Sequence, residues 1–233
     1  MSDFNFSLST FSSSGRLTQV DHAFKAAENS SSCVGLTCHE GVVVGAEKVL
    51  STPLIDASTI TRLGKISDNC IAIFSGIVAD FRGLLKNTRK KAAEYFYRYN
   101  DLMPIERVAS HMAGVMQEYT QKGGVRPFGV CVFIVGFDET GSRMYQIDPS
   151  GSYYSWKAAG IGKGRENVTS FLEKRYTDTL GLEECITLTI ECLKEVHNGL
   201  ITKDNIELAV VKSDGVVSIL TPEEIQDYLE EAE

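Results

Sequence analysis

The sequence predicts an α+β protein in which two antiparallel sheets stack on each other and helices pack outside them. Three observations lead there: short β-rich runs come in pairs, pairs of amphipathic helical stretches separate those runs, and the order recurs along 233 residues. Strand groups broken by helix pairs differ from the strict strand–helix alternation of a parallel sheet. Hydrophobic residues at 43% beside 23% charged residues supply a substantial core and exclude a disordered chain.

The elements follow in order. Leu17, Val20, Phe24 and Ala27 lie three and four residues apart, the stripe of a short helix, which the run Ser30-Ser31-Ser32 ends. Two β-rich runs between Cys33 and Leu50 flank His39-Glu40-Gly41, a hairpin signal. A strand pair is expected near Ile60 to Ile66 and Cys70 to Phe74. Val78, Phe81, Leu85, Ala92, Phe96 and Tyr99 keep helical spacing, and Pro104 opens a second stripe of Ile105, Val108, Met112, Met116 and Tyr119.

Strands return at Phe128 to Phe137 and Arg143 to Ile147, and the turn Asp148-Pro-Ser-Gly151 leads into a run from Tyr153 to Ile161. Helices are expected from Glu166 to Tyr176 and over Ile186, Ile190, Leu193 and Val196. A hairpin of Ile206 to Val211 and Val216 to Leu220 turns at Ser213-Asp-Gly215. Thr221, Pro222 and Glu224 form a capping box for a last acidic helix. With no repeat, linker or low-complexity stretch, residues 1–233 read as one domain: a tail and helix over 1–30, then the sheets and their helices over 31–233.

A net charge of -8 disfavours a grip on a phosphate backbone, so nucleic acid is not an expected partner. No stretch approaches the roughly 20 apolar residues of a membrane span, and the start lacks the pattern of a signal peptide, so no membrane partner is expected. The cysteines at 33, 38, 70, 131, 185 and 192 form no Cys-x-x-Cys pair and read as reduced core thiols. His22, His39, His111 and His197 share no ligand spacing, so neither metal nor cofactor is expected. Gly160-Ile-Gly-Lys-Gly164 lacks the spacing of a phosphate loop and reads as a turn into a helix. Arg89-Lys-Lys91 reads as a solvated helix face, and Trp156 with Tyr95, Tyr97 and Tyr99 as packing residues or contacts to a partner.

The segment Phe4 to Ala23, with Phe11-Ser-Ser-Ser-Gly-Arg-Leu-Thr-Gln-Val-Asp-His-Ala23 at its end, resembles the N-terminal signature of proteasome α subunits, usually Phe-Ser-Pro-x-Gly-Arg-Leu-x-Gln-Val-Glu-Tyr-Ala. The likeness continues through Gly41 to Lys48, Ser75-Gly76, Val115 to Val130, Asp148 to Gly151 and Phe171 to Tyr176, nearly the whole chain. It implies a four-layer αββα sandwich, the fold of N-terminal-nucleophile hydrolases, with an extra N-terminal helix. It also implies a gating face made from Phe4, Asn5, Ser13, Gly15, Arg16 and His22. Ser13 stands where the signature has proline and His22 where it has tyrosine, which removes a fixed φ and a phenol hydroxyl from that face.

Active relatives use an N-terminal threonine whose own amine is the base. The resemblance aligns that nucleophile near Ser31, inside the chain, its supporting lysine near Arg62, and the Arg-Asp-x-x-Ser run near His197 to Ile201. A guanidinium gives up no proton at any working pH, so no hydrolytic dyad is expected and the catalytic set is empty. Arg62, with backbone N–H groups near Gly76 and Ile77, corresponds instead to a pocket for the C-terminal carboxylate of an activator. The expected function is therefore ring assembly, gating and activator docking in ubiquitin-dependent protein degradation, in the cytoplasm and nucleus. The expected partners are neighbouring α subunits of a heteroheptameric ring, the β-type subunits of the adjacent ring, and regulatory-particle ATPases or other activators. The alternative weighed against it is an active threonine or serine hydrolase that cuts itself before Ser31; a homo-oligomer of this chain alone is a third.

Overall fold

Val, Ile and Phe crowd the runs that form the sheets, and the side-chain period of two sends neighbours to opposite faces. The computed structural model describes residues 10–50, 52, 54–197 and 201–231. One sheet contains β1 (Cys33–Cys38), β2 (Gly41–Glu47), β8 (Ala158–Ile161), β9 (Ile206–Lys212) and β10 (Val217–Ile219), in the order β10-β9-β2-β1-β8. The other contains β3 (Leu63–Ser67), β4 (Cys70–Gly76), β5 (Val130–Asp138), β6 (Gly141–Ile147) and β7 (Tyr153–Ser155), in that order. Every pairing is antiparallel.

Both sheets are buried on both faces, so their central strands are apolar at odd and even positions alike. Val42 and Val44 of β2, Ile71 and Ile73 of β4, and Phe133 and Val135 of β5 meet between the sheets. Their neighbours Ala72, Phe74, Val132 and Ile134 face the helices α2 (Val78–Tyr99) and α3 (Ile105–Gln121). Val34, Leu36 and Val43 face α4 (Arg165–Arg175), α5 (Leu182–Val196) and α6 (Pro222–Glu231). Three apolar seams therefore separate four layers, αββα, and each fully buried large side chain in them contributes about 1.5–3 kcal/mol.

The helices begin and end where local chemistry permits. Asn100 closes α2 in the left-handed region at φ 51°, which Asn tolerates better than most residues. Pro104 stands just before α3, and the first turn is capped by Asp138 Oδ2, which accepts from Ile105 N at 3.0 Å. At α6 the expected capping box is present, with Thr221 N donating to Glu224 Oε2 at 2.7 Å and Glu224 N donating to Thr221 Oγ1 at 3.3 Å. The leading helix α1 (Thr18–Glu28) buries Val20, Ala23 and Ala27 and leaves Phe24 half-buried.

One expected strand divides. The run from Tyr153 to Ile161 is two strands in different sheets, β7 on β6 and β8 on β1. At Trp156 and Lys157 the chain crosses between sheet edges: Trp156 N donates to Met144 O at 3.0 Å, and Lys157 O accepts from Thr37 N at 2.7 Å. A strand that changes sheets at a corner looks continuous in sequence, because both halves are extended.

Candidate functional site

Ser30 and Ser31 join α1 to β1, and the surrounding elements converge on them. Ser75, near the end of β4, shares its one hydroxyl hydrogen between Ala27 O and Ser31 O, each at 2.9 Å, tying the end of α1 to the second sheet. Ser30 Oγ donates to Gly76 O at 3.4 Å. Gly162 adopts φ +90°, and a Cβ there would collide with Ser31 O, so this loop needs glycine to approach the serines. Lys163 N donates to Ser30 O at 2.9 Å. The Gly160 to Gly164 run is thus a close-packing turn, as its spacing suggested.

Arg62 immediately precedes β3 and turns its side chain inward. Its Nη2 donates to Ser31 Oγ at 2.9 Å, and its guanidinium lies 5.3 Å from the centre of the Phe74 ring, which is itself stacked on Phe81. The residue is only 9% exposed, yet Nε and Nη1 have no partner among the described residues. Its backbone N–H donates to Glu207 Oε2 at 2.7 Å, and Lys48 Nζ pairs with Glu207 Oε1 at 3.1 Å. Glu47 completes the polar surround: Oε1 lies 2.7 Å from His197 Nδ1, and Oε2 accepts from Ser32 N at 3.4 Å.

The remaining expected pocket residues sit beside this cluster in unequal roles. Gly76 ends β4 at φ +126°, where a Cβ would land on Gly129 O. Ile77 is the N-cap of α2 and keeps a partly exposed side chain, but its N–H already donates to Gly129 O at 3.0 Å. That amide is therefore spent, contrary to the expected contribution of a free backbone donor at Ile77. Nearby, Asp80 accepts from Arg126 at 2.7 and 2.8 Å and from Gly129 N at 3.0 Å. Burial pushes the Asp80 carboxyl up, but these donors outweigh it and hold the group below its usual range.

On the expected gating face, Phe4 and Asn5 lie outside the described residues. Ser13, Gly15 and Arg16 form an exposed turn: Gly15 N donates to Ser12 O at 2.9 Å, Ser12 N to Arg16 O at 2.9 Å, and Gly15 takes φ +73°. Arg16 pairs with Asp21 at 3.4 Å on the surface, and His22 is exposed on α1. The turn and the Arg62 cluster are thus separate features at either end of α1. Sequence reading missed Glu207 and Lys48 as supports of Arg62; the available signal was a carboxylate inside the apolar strand Ile206 to Val211.

Chemically the cluster holds charge but moves no proton. Ser31 has a peptide nitrogen where a catalytic N-terminal residue has a free amine, and the group on its hydroxyl is a guanidinium that only donates. Of the segment aligned with the Arg-Asp-x-x-Ser run, residues 198–200 lie outside the described residues. Among the described residues no group of three or more His, Cys, Asp or Glu is gathered as for a metal. A hydrolase-type αββα sandwich whose nucleophile position is an internal serine faced by arginine defines a non-catalytic subunit of a protease complex.

The profile of the family described as "Proteasome subunit" matches residues 27–211, and the profile of the N-terminal signature specific to A-type proteasome subunits matches residues 4–26. The chain belongs to the proteasome subunit family, in its α-type branch. It is 43% identical over 232 residues to the alpha type-2 proteasome subunit of Oryza sativa subsp. indica, covering 100% of this chain and 99% of the relative. It is 42% identical to the alpha type-2 subunit of Dictyostelium discoideum, over 98% of each chain. Against that of Drosophila melanogaster it is 40% identical, over 97% of this chain and 96% of the relative.

Proposed function

We propose that this chain works as an assembly and gating subunit of the α ring, and that Arg62 forms the charged floor of a pocket for the C-terminal carboxylate of an activator. The ring is read as heteroheptameric, stacked on a ring of β-type subunits and bound by regulatory-particle ATPases or other activators, in the cytoplasm and nucleus. The observation that carries the pocket is the Arg62 guanidinium, enclosed yet with Nε and Nη1 unpaired among the described residues. A buried unpaired donor is costly, so its retention favours a ligand that satisfies it. Nη1 and Nη2 form one edge of the guanidinium, and Nη2 retains a second hydrogen beyond the one given to Ser31. A terminal carboxylate carries the paired acceptors that this edge calls for.

Peptides ending in an activator tail, titrated against the particle containing this chain, test the reading. Arg62→Glu should weaken binding at this pocket by at least tenfold, since it replaces an attraction by a repulsion, and the amidated peptide should bind as poorly to the wild type. Equal affinity of acid and amide peptides for the wild-type particle would sink the proposal.

A further inference from the structure

Glu207 is a carboxylate on an otherwise apolar stretch of β9, opposite Ala46 of β2, and its side chain is only 13% exposed. Its two oxygens hold the two ends of one connecting segment. Oε2 accepts from Arg62 N at 2.7 Å and from Thr61 Oγ1 at 3.4 Å, while Oε1 pairs with Lys48 Nζ at 3.1 Å. Lys48 is fixed at two further points: its N–H donates to Asn205 O at 2.7 Å, and Nζ donates to Ala57 O at 3.4 Å. The segment from Lys48 to Arg62 carries the chain from β2 in one sheet to β3 in the other, with a short 3-10 turn at Ala57–Thr59 on the way. A single carboxylate on a sheet strand therefore closes this segment into a strap.

The strap matters because of where Arg62 stands. Sheet pairing of β3 begins at Leu63, opposite Ile73, so Arg62 is one residue outside the ladder, and its main-chain nitrogen is held by Glu207 instead. A bond to an ionised acceptor is shorter and stronger than one to a neutral acceptor, so this anchor is a firm one. The same carboxylate could have neutralised the guanidinium. It does not: its oxygens are engaged by Arg62 N, Thr61 Oγ1 and Lys48 Nζ, and Nε and Nη1 of Arg62 have no partner among the described residues. Glu207 thus fixes the point from which the Arg62 side chain departs and leaves the charge at its tip uncommitted, with Lys48 occupying the oxygen that faces away from the Arg62 nitrogen.

We propose that Glu207 is a positioning residue for recognition of a terminal carboxylate, acting through the Arg62 main chain and kept in that role by Lys48. The inference rests on the reading of Arg62 as the charged floor of the pocket. Two other roles for the same carboxylate lead to different outcomes. A bare negative charge near the pocket would repel an incoming carboxylate, so its removal would tighten binding. A support for the fold alone would cost stability when lost and leave the preference for an acid over an amide tail unchanged. A positioning role has a third signature: paired hydrogen bonds to a carboxylate are geometrically demanding, so a loosened Arg62 main chain weakens the acid tail selectively.

The test titrates particles containing this chain with an activator-tail peptide that carries a photo-cross-linker, as the free acid and as the amide, and counts the label on this chain. Glu207→Ala should weaken the acid peptide about tenfold, the loss expected when a charge-assisted bond is removed, and leave the amide unchanged. Glu207→Gln keeps an acceptor for Arg62 N and should restore acid binding to within about twofold of wild type. If Glu207→Ala does not assemble, Glu207→Asp decides: it keeps the charge but withdraws the acceptor by one methylene, and should weaken the acid peptide about fivefold. Arg62→Glu is measured beside them. Should Arg62→Glu leave acid binding intact, the pocket reading and this inference fall together; should it weaken binding while Glu207→Ala, or Glu207→Asp in its place, binds as wild type, the role of Glu207 alone falls. Tighter acid binding by Glu207→Ala, or a Glu207→Gln variant as weak as Glu207→Ala, overturns it equally.

Discussion

Replacing Arg62 by methionine separates a residue kept for binding from one kept for folding. The substitution removes the charge-assisted bond to Ser31 Oγ, about 1.5–3 kcal/mol. It also removes the cation–π contact with Phe74, about 1–2 kcal/mol in a desolvated setting. Against this it relieves two buried donors with no partner among the described residues, about 1–3 kcal/mol each. The Arg62 backbone bond to Glu207 and the Lys48–Glu207 pair remain in place. The two sides nearly cancel, so Arg62→Met should change folding stability by no more than about 1–2 kcal/mol. Urea unfolding of the full chain reads this as a small shift in midpoint at constant slope, while affinity for an activator tail falls at least tenfold. A structural arginine predicts the reverse pattern, a loss of about 3–5 kcal/mol as expected when a buried ionic partner is removed. Such a loss, with tail affinity intact in whatever particles assemble, would refute the reasoning.

Three further outcomes follow from the same region. Gly76→Ala places a Cβ against Gly129 O at φ +126°, so it should cost about 1–3 kcal/mol from the backbone alone, with the collision added, and lower the melting temperature markedly. Phe74→Leu keeps an apolar side chain but loses the stack on Phe81, costing about 1–2 kcal/mol in chemical denaturation and loosening the floor beneath Arg62. Asp80→Asn tests linkage: a carboxyl held below its unfolded value stabilises the fold above about pH 4, and that contribution is lost as pH falls through the folded value. The stability gap between wild type and Asp80→Asn should therefore be level near neutrality and narrow below pH 4; a gap that widens in acid contradicts the assignment.

The elements were legible because each has a local cause. The stripes over Val78 to Tyr99 and Ile105 to Tyr119, the Ser213-Asp-Gly215 turn and the Thr221–Glu224 box all depend on residues within a few positions of one another. Strand partnership does not. Nothing local in Val42 to Ala46 shows that β2 pairs with β9, more than 150 residues later, and not with β3; that choice is made by which apolar faces meet across the sheets. The break at Trp156 was hidden for the same reason. At the site, the resemblance named Ser31 and Arg62 together, as the nucleophile position and the place of its supporting lysine, and Arg62 again as a pocket residue; the 2.9 Å bond between their side chains is a property of the folded chain. So are the loss of the Ile77 amide to Gly129 and the Glu207 support, since each joins segments far apart in sequence.

That contact bears on how one fold serves two chemistries. A hydrolase of this fold needs a cation beside the nucleophile that can also surrender a proton, and it needs the chain to start at the nucleophile. With the chain running on from α1 through Ser30 and Ser31, and Ser75 pinning both Ala27 O and Ser31 O, the serine is held as part of the scaffold and its nitrogen as an amide. A proton-exchanging cation then has no work to do, whereas a permanent one still attracts carboxylates. Arginine meets that second demand better than lysine, because its charge persists and its planar edge offers paired donors. Arg62→Lys should consequently keep the fold, bind tails more weakly than arginine, and still leave Ser31 unreactive toward threonine-protease inhibitors. Covalent labelling of Ser31 in that variant would show that the cation, and not the chain continuing through the serine, is what disarms the site.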